Sequence, residues 1–395
     1  MKILIALSRF PYPTDKGDKL RAWFQIQSLC KLHEVHLFCL NDEVVKKEHY
    51  ETVAAICSSV TVVNISKTGI FYRLIRNVFS KLPFQVAWFT SKKAQQKFLR
   101  FTEQVKPNAI YCQLARMAEY CRHLPQKIKI LDYQDAFSKG LERRIEHEPF
   151  WKKWLVRMEY NRLRKYEIEI FDCFSQCTII SKQDAELIQH PRQKDLLIIK
   201  NGVDSDYFKP EPNAKTIDLL FTGNMQYEPN VNCVLYIMNE VMPILTKEFP
   251  FIQLVVAGKN PAKELTDLTS KSIQLTGWVD DLRVYFKQAR LLVAPMQIGV
   301  GMQNKLLEAM SMGIPVITSS LANNAIGATH GKHIWIADTP QKVAESISFL
   351  LNNTELAMKI GQNAREWIVA NYSWDKQNEQ LLRLFQVPNK IIYYN

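Results

Sequence analysis

The residues best placed to do chemistry lie between Ala294 and Ser319, APMQIGVGMQNKLLEAMSMGIPVITS. An apolar run closes at Ala294, and a loop carrying Gly299 and Gly301 follows. Gln303 then starts a stretch with Asn304, Lys305 and Glu308 that sets Lys305 and Glu308 on one helical face at i and i+3. Glycines let backbone N–H groups approach an anion, and the start of a helix adds the positive end of its dipole, so the segment is built like a phosphate cradle. Lys305 would supply its cation. Glu308, about one turn deeper, can accept hydrogen bonds from both hydroxyls of a ribose, as acidic residues do in other nucleotide folds. The same letters also describe a surface helix with an exposed Lys305–Glu308 ion pair, because a glycine-rich loop alone is a weak signal.

Further candidates lie in the first half. Ser8–Lys19, SRFPYPTDKGDK, follows an apolar run and contains Pro11, Pro13 and Gly17, which serve to turn the chain. Gln113 and Arg116 follow another strand end. The run Ile128–Asp132 leads into Tyr133, Gln134 and Asp135, and Asp135 is the best candidate for an acceptor-orienting or basic group. For each of these, simple solvation of a loop polar group is the competing reading. His330, His333 and Asp338 lack the helical i, i+4 pair of a metal site and read as structural or solvent-facing.

Alternating elements would position these groups. Ile3–Leu7, Val35–Leu40, Val60–Ile65, Ala109–Cys112 and Ile128–Asp132 read as strands, and Trp151–Phe171 as a long helix. A second series follows: Asp218–Phe221, Phe251–Ala257, Ile273–Leu275, Ala289–Ala294 and Pro315–Thr318 as strands, with amphipathic Val231–Thr246 and Gln303–Met312 between them. The class is α/β, two parallel sheets covered by helices. A boundary is expected near 190–215, where His190, Pro191, Pro210 and Pro212 punctuate the chain. Ligands of such sheets sit at the carboxyl ends of the strands, so two domains facing one another would form a cleft.

Composition narrows the class. The 395 residues are too many for one ordinary core, and 47% hydrophobic with 23% charged residues is typical of a globular protein. The opening KILIAL is expected to be a buried strand and not a leader, and no run approaches the ~20 apolar residues of a membrane-spanning helix. The eight cysteines form no C-x-x-C; the spacing of Cys173 and Cys177 would let them share a helix face, but the set as a whole suggests reduced, cytoplasmic thiols. A net charge of +12 favours anionic partners: nucleotide-sugars, phospholipid surfaces or nucleic acid. Nucleic acid is disfavoured, because no module for it appears. Trp151, Trp154 and Leu155 among Lys152, Lys153 and Arg157 would make an aromatic-basic face for peripheral contact with an anionic membrane, or a packed helix with a solvated basic side.

The segment Ala294–Ser319 resembles the donor-site signature G-x-G-x-x-N-K-x-L-E-A-M-x-x-G-x-P-V-V of the family 4 retaining glycosyltransferases, proteins of the two-domain GT-B fold. Other stations agree in order: IIKNGVDSDYFKP at 198–210, FTGNMQYEPN at 221–230 followed by Met242-Pro243, Val256–Gly258, TGWVDD at 276–281 and Tyr372–Trp374. The nearest look-alikes are the sugar transferases encoded with bacterial exopolysaccharide and PEP-CTERM systems.

The resemblance implies two Rossmann-like domains facing across a cleft: an acceptor-side domain over 1–195, a nucleotide-sugar domain over 196–371, and a terminal helix over 372–390 packing back on the first. It implies a cytoplasmic enzyme, placed at the inner face of the plasma membrane where any peripheral contact is made. That enzyme would move a sugar, with retention and without a metal or other cofactor, from a nucleotide-diphosphate-sugar to a glycan or lipid-linked acceptor in cell-surface polysaccharide synthesis. Lys305 would then be the diphosphate cation and Glu308 the ribose anchor. Gly299, Gly301, Gln303, Asn304, Gly223 and Asn224 would complete the donor site, with Gly17, Gln113, Arg116 and Asp135 on the acceptor side. The chain departs from the family in three places. Val300 stands where many members carry the first Glu of an E-x7-E pair; Asn224, Met225 and Tyr227 stand where an Arg and a Lys are usual; and Gln113 and Arg116 lie where many have a His. The rival readings are a nucleotide-sugar epimerase or hydrolase of the same fold and a non-catalytic nucleotide-sugar-binding protein.

Overall fold

The computed structural model describes residues 1–259, 263–267, 269–298 and 302–386. The chain forms two units, Met1–Lys200 with the segment from Gln377, and Asn201–Lys376. In the first unit the strands are β1 (Lys2–Leu7), β2 (Glu34–Asn41), β3 (Ser59–Asn64), β4 (Ala109–Gln113), β5 (Ile128–Asp132), β6 (Gln176–Ile179) and β7 (Leu197–Ile198). They form one parallel sheet in the order β3-β2-β1-β4-β5-β6-β7. The second unit holds β8 (Ile217–Thr222), β9 (Leu254–Ala257), β10 (Ile273–Leu275), β11 (Ala289–Ala294), β12 (Val316–Thr318) and β13 (Trp335–Ile336), parallel in the order β10-β9-β8-β11-β12-β13. Each order reverses direction once, between β1 and β4 and between β8 and β11, and the loops leaving those strands diverge to open a crevice.

Parallel strands covered on both faces must be apolar on both, which explains the unbroken KILIAL of β1. Its side chains alternate: Leu4 and Ala6 join a core with Phe38 and Phe98, whereas Ile3, Ile5 and Leu7 meet Ala22, Ile26 and Leu29 of helix α1 (Gly17–Cys30). The long charged stretch forms helix α2 (Phe150–Phe171). Cys177 lies on β6, and Cys173 beyond the end of α2, so the two do not share a helix face. Phe251 is exposed ahead of β9, not within it.

The segment read as amphipathic over 231–246 is helix α3 (Glu228–Tyr236), a widened π turn over Ile237–Val241 and a last turn over Met242–Leu245. Pro243 has no N–H and its ring crowds the carbonyl four residues earlier, which is how a helix is forced to widen. Helix α4 (Asn304–Ser311) stops where Gly313 turns the chain with φ 70°. Helix α5 (Thr354–Tyr372) crosses against that turn so closely that a Cβ on Gly361 would lie 2.1 Å from the Gly313 carbonyl oxygen.

Tyr372 closes α5 and donates its hydroxyl to the Ile326 carbonyl; it does not open the last helix, which is α6 (Trp374–Arg383). The terminal segment divides between the units. Trp374 stays with the second, against Gly202, while Leu381 and Phe385 are fully buried in the first beside Ile3 and Ile5. Asn378 anchors that turn by donating to the Phe24 carbonyl (3.0 Å) and Ser28 Oγ (2.8 Å).

Candidate functional site

In the second unit, β8 delivers Thr222 and β11 delivers Ala294 to the switch point, and α4 starts at Asn304 beside them. Gln303 is the residue before the helix, yet its side chain accepts no bond from the first-turn N–H groups, and no acidic residue stands in that turn. The amide end of α4 is therefore left without a side-chain cap.

Lys305 does not form the exposed ion pair its spacing also allows. It is buried, with Nζ donating to Asn230 Oδ1 (2.6 Å), Gln303 Oε1 (3.2 Å) and Met296 Sδ (3.8 Å), and it stands 4.6 Å above the Phe221 ring. These partners are all neutral. Removing an ammonium from water favours its uncharged form, and burial pulls the Lys305 pKa down to about 8, with the charges of Cys233 and then Glu308 opposing the shift. Glu308 is half-buried and its pKa is pushed up to about 7 by loss of solvent, against the pull of Lys305.

Two other donor candidates are tied to this ammonium through Asn230. Asn230 is oriented by donating Nδ2 to the Asn224 carbonyl at 3.0 Å, so the loop after β8 and the lysine are linked through one side chain. Gly223 is a steric necessity there, because a Cβ would fall 2.6 Å from Asn230 Nδ2. Asn224 is exposed, and its Oδ1 accepts from the Gln226 amide. Asn304 Oδ1 and Thr222 Oγ1 are buried with no hydrogen-bond partner among the described residues. Gly299 and Gly301 lie outside the described residues.

In the first unit the candidates gather at the ends of β1, β4 and β5. Gly17 is exposed at the start of α1, and a Cβ there would meet nothing within 4 Å. Gln113 ends β4, buried, with Nε2 unpaired among the described residues. Arg116 lies between the rings of Phe89 (4.9 Å) and Phe137 (5.4 Å), with Nη2 3.8 Å from Asp18, which also holds Arg9 at 3.1 Å. Burial lowers the Arg116 pKa to about 10. Asp135 is raised to about 7, first by burial, then by the charge of Asp184, with Arg21 opposing.

Sequence reasoning missed what holds these ends in place. Arg21 of α1 is fully buried and grips Asp132 at 2.7 and 3.1 Å; Tyr111 (2.9 Å) and Thr178 (2.9 Å) also donate to that carboxylate. Nothing local distinguishes Arg21 from a solvated helix residue, since its partners, Asp132 and the Lys200 carbonyl, lie 111 and 179 residues away. The residues that follow β4 and β5 are also unusual: Leu114 has φ 70° and Gln134 has φ 62°. Non-glycine residues held there cost on the order of 1–3 kcal/mol and cluster at functional sites. In the second unit, Asn230 and Phe221 stand within the quoted run FTGNMQYEPN, but no spacing rule ties them to a lysine 75 residues away.

His330 accepts from the Ile336 amide and His333 stacks on Trp367 at 5.1 Å, both structural roles. Among the described residues no three His, Cys, Asp or Glu side chains come together as a metal-holding group. Nor is any helix among them long and apolar enough to cross a membrane.

Two Rossmann-ordered parallel sheets in one chain define the class, the GT-B fold of glycosyltransferases. Within it, residues 216–353, the part that holds β8, α4 and Lys305, match the family of glycosyl transferases group 1. WaaG, a glycosyltransferase involved in lipopolysaccharide biosynthesis, superposes with a TM-score of 0.67 at 14% identity over 98% of this chain and 100% of that one. HepE of Anabaena, solved in complex with UDP and glucose, gives 0.69 at 13% identity over 97% and 98%. In sequence, the chain is 21% identical over 406 residues to an uncharacterized 44.6 kDa protein in the cps region of Klebsiella pneumoniae, covering 95% of this chain and 97% of that protein.

Proposed function

We propose that this chain is a retaining, metal-independent glycosyltransferase that moves a sugar from a nucleotide-diphosphate-sugar to a glycan or lipid-linked acceptor in cell-surface polysaccharide synthesis. The observation that carries the reading is the buried Lys305 ammonium, hydrogen-bonded among the described residues only to neutral groups, beside a helix start that Gln303 does not cap, at a sheet switch point. A cation so placed is suited to receive an anion, and a departing diphosphate is one. The match of this segment to group 1 glycosyl transferases and the UDP held by a protein of the same fold support the donor class.

As the bond from the sugar's anomeric carbon to the diphosphate oxygen breaks, negative charge grows on that oxygen. Lys305 and the first amides of α4 neutralise it as it develops, the work a metal ion does elsewhere. Glu308 accepts from the ribose hydroxyls. The acceptor oxygen then bonds to the same face of the anomeric carbon, and its proton passes to the departing diphosphate or to Asp135. Asp135, with a pKa of about 7, can hold or release a proton near neutrality. Gly17, Gln113 and Arg116 line the acceptor side.

Incubation with single nucleotide-sugars, with and without an envelope-glycan extract as acceptor, tests the reading. Release of nucleoside diphosphate that depends on acceptor is expected. Conversion of donor alone would instead indicate an epimerase or hydrolase, and binding without conversion in either arm would leave a nucleotide-sugar-binding protein.

A further inference from the structure

We propose that the first unit docks on an anionic phospholipid bilayer through an aromatic and basic face made by the start of α2 and the segment Lys67–Lys81. The proposal does not depend on the transfer reaction. The first six residues of α2, Phe150–Leu155, are all exposed; Phe150 retains 87% of its surface and Trp154 66%. Trp151, Trp154 and Leu155 fall at i, i+3 and i+4, so they form one face. Lys152 stands 4.7 Å above the Trp151 ring, with Lys153 and Arg157 exposed beside it.

A second segment repeats the pattern and was not legible as a surface in the sequence. In the helix Lys67–Asn77, Ile70 and Leu74 turn into the core, yet Phe71, Tyr72 and Ile75 are exposed as well, and Phe79 just beyond retains 95% of its surface. Such a helix is apolar on its outer side too, which a solvated surface helix is not. The two segments are fixed to one another. Arg162 of α2 donates to the carbonyls of Asn77 (3.3 Å) and Val78 (2.9 Å), and Glu159 accepts from the amides of Phe84 (2.9 Å) and Gln85 (3.1 Å).

Charge selects the partner. From Thr52 to Thr102 the sequence has no aspartate or glutamate and eight lysines and arginines, and FWKKWLVRM at 150–158 has three basic residues and no acid. Tryptophan, tyrosine and lysine combine an apolar body with a polar tip, the combination that settles at a lipid headgroup boundary. Basic residues near an anionic leaflet add roughly five-fold in partitioning each. A nucleic acid would satisfy the cations but offers nothing to Ile75, Val78 and Leu155, whereas acyl chains do.

The test is sedimentation of the full chain with vesicles of phosphatidylcholine alone or with phosphatidylglycerol added. Binding is expected to the anionic vesicles, to weaken as salt rises, and to fall by roughly ten-fold in the pair Trp151→Ser, Trp154→Ser and in Phe79→Ser at unchanged net charge. Because these residues are exposed, the variants should keep their circular dichroism and melting point. Four results would overturn the proposal: no anionic-lipid binding, equal binding to neutral vesicles, binding that an RNA competitor removes at equal phosphate, or a self-association in sedimentation velocity that Phe79→Ser abolishes while lipid binding stays unchanged.

Discussion

Among the described residues the buried Lys305 ammonium is hydrogen-bonded only to neutral groups, and that placement gives the second unit its expected chemistry. Replacing it with alanine removes a cation aimed at developing charge, so turnover should fall about 10²–10³-fold, roughly 2.7–4 kcal/mol of barrier. The fold should survive, since a buried charge is lost with the ammonium; rate and melting curve on the same protein check both halves. The pH dependence follows from the two shifted groups. Lys305, depressed to about 8, gives stability present at high pH and lost as pH falls through about 8, where the buried amine takes up its proton. Glu308, raised to about 7, gives stability present at low pH and lost as pH rises through about 7. Both are charged between those values, so affinity for UDP or GDP should be highest from about pH 7 to 8 and fall on either side, as calorimetric titrations across pH would show. Gly17→Ala should leave the melting point unchanged, because nothing lies within 4 Å of the new methyl, and lower kcat/KM where a ligand approaches the backbone. Lys305 and Glu308 were legible because they sit three apart in one helix. Asn230 and Phe221 were not, because their contacts join elements far apart in sequence.

At the scale of elements, the signal lay in length and periodicity. The long buried strands β1, β2 and β11 read clearly as apolar runs, while β6, β7 and β13 have two to four residues each, too few for any period to show. Amphipathic segments marked helices where one face is apolar, but not the widening of the helix ahead of Pro243. Two contacts invisible to pattern set where α4 sits: the loop at Gly223 packed on Asn230, and the crossing of α5 at Gly361. Gly361→Ala would push a methyl into the Gly313 carbonyl and should lower stability by about 1–3 kcal/mol, read as a shift of the urea midpoint at constant slope. A midpoint equal to wild type would show that α5 can move away without cost.

At the scale of the molecule, two units each carry their own sheet and core, and the chain returns to the first at its end. Leu381 is fully buried among first-unit residues, so Leu381→Ala should lower that unit's stability by about 2–5 kcal/mol while nucleotide binding by the second persists. Differential calorimetry with and without UDP separates the two effects. The central claim is that the Lys305 site receives the diphosphate of a sugar donor. Thermal unfolding with UDP and with GDP, on the wild-type chain and on Lys305→Ala, tests it most directly. At 100 times its dissociation constant the matching nucleotide should stabilise the wild-type protein by about 2.7 kcal/mol, and the same concentration should do markedly less for the variant. Equal stabilisation of both proteins, or none of the wild type by either nucleotide, would contradict the account.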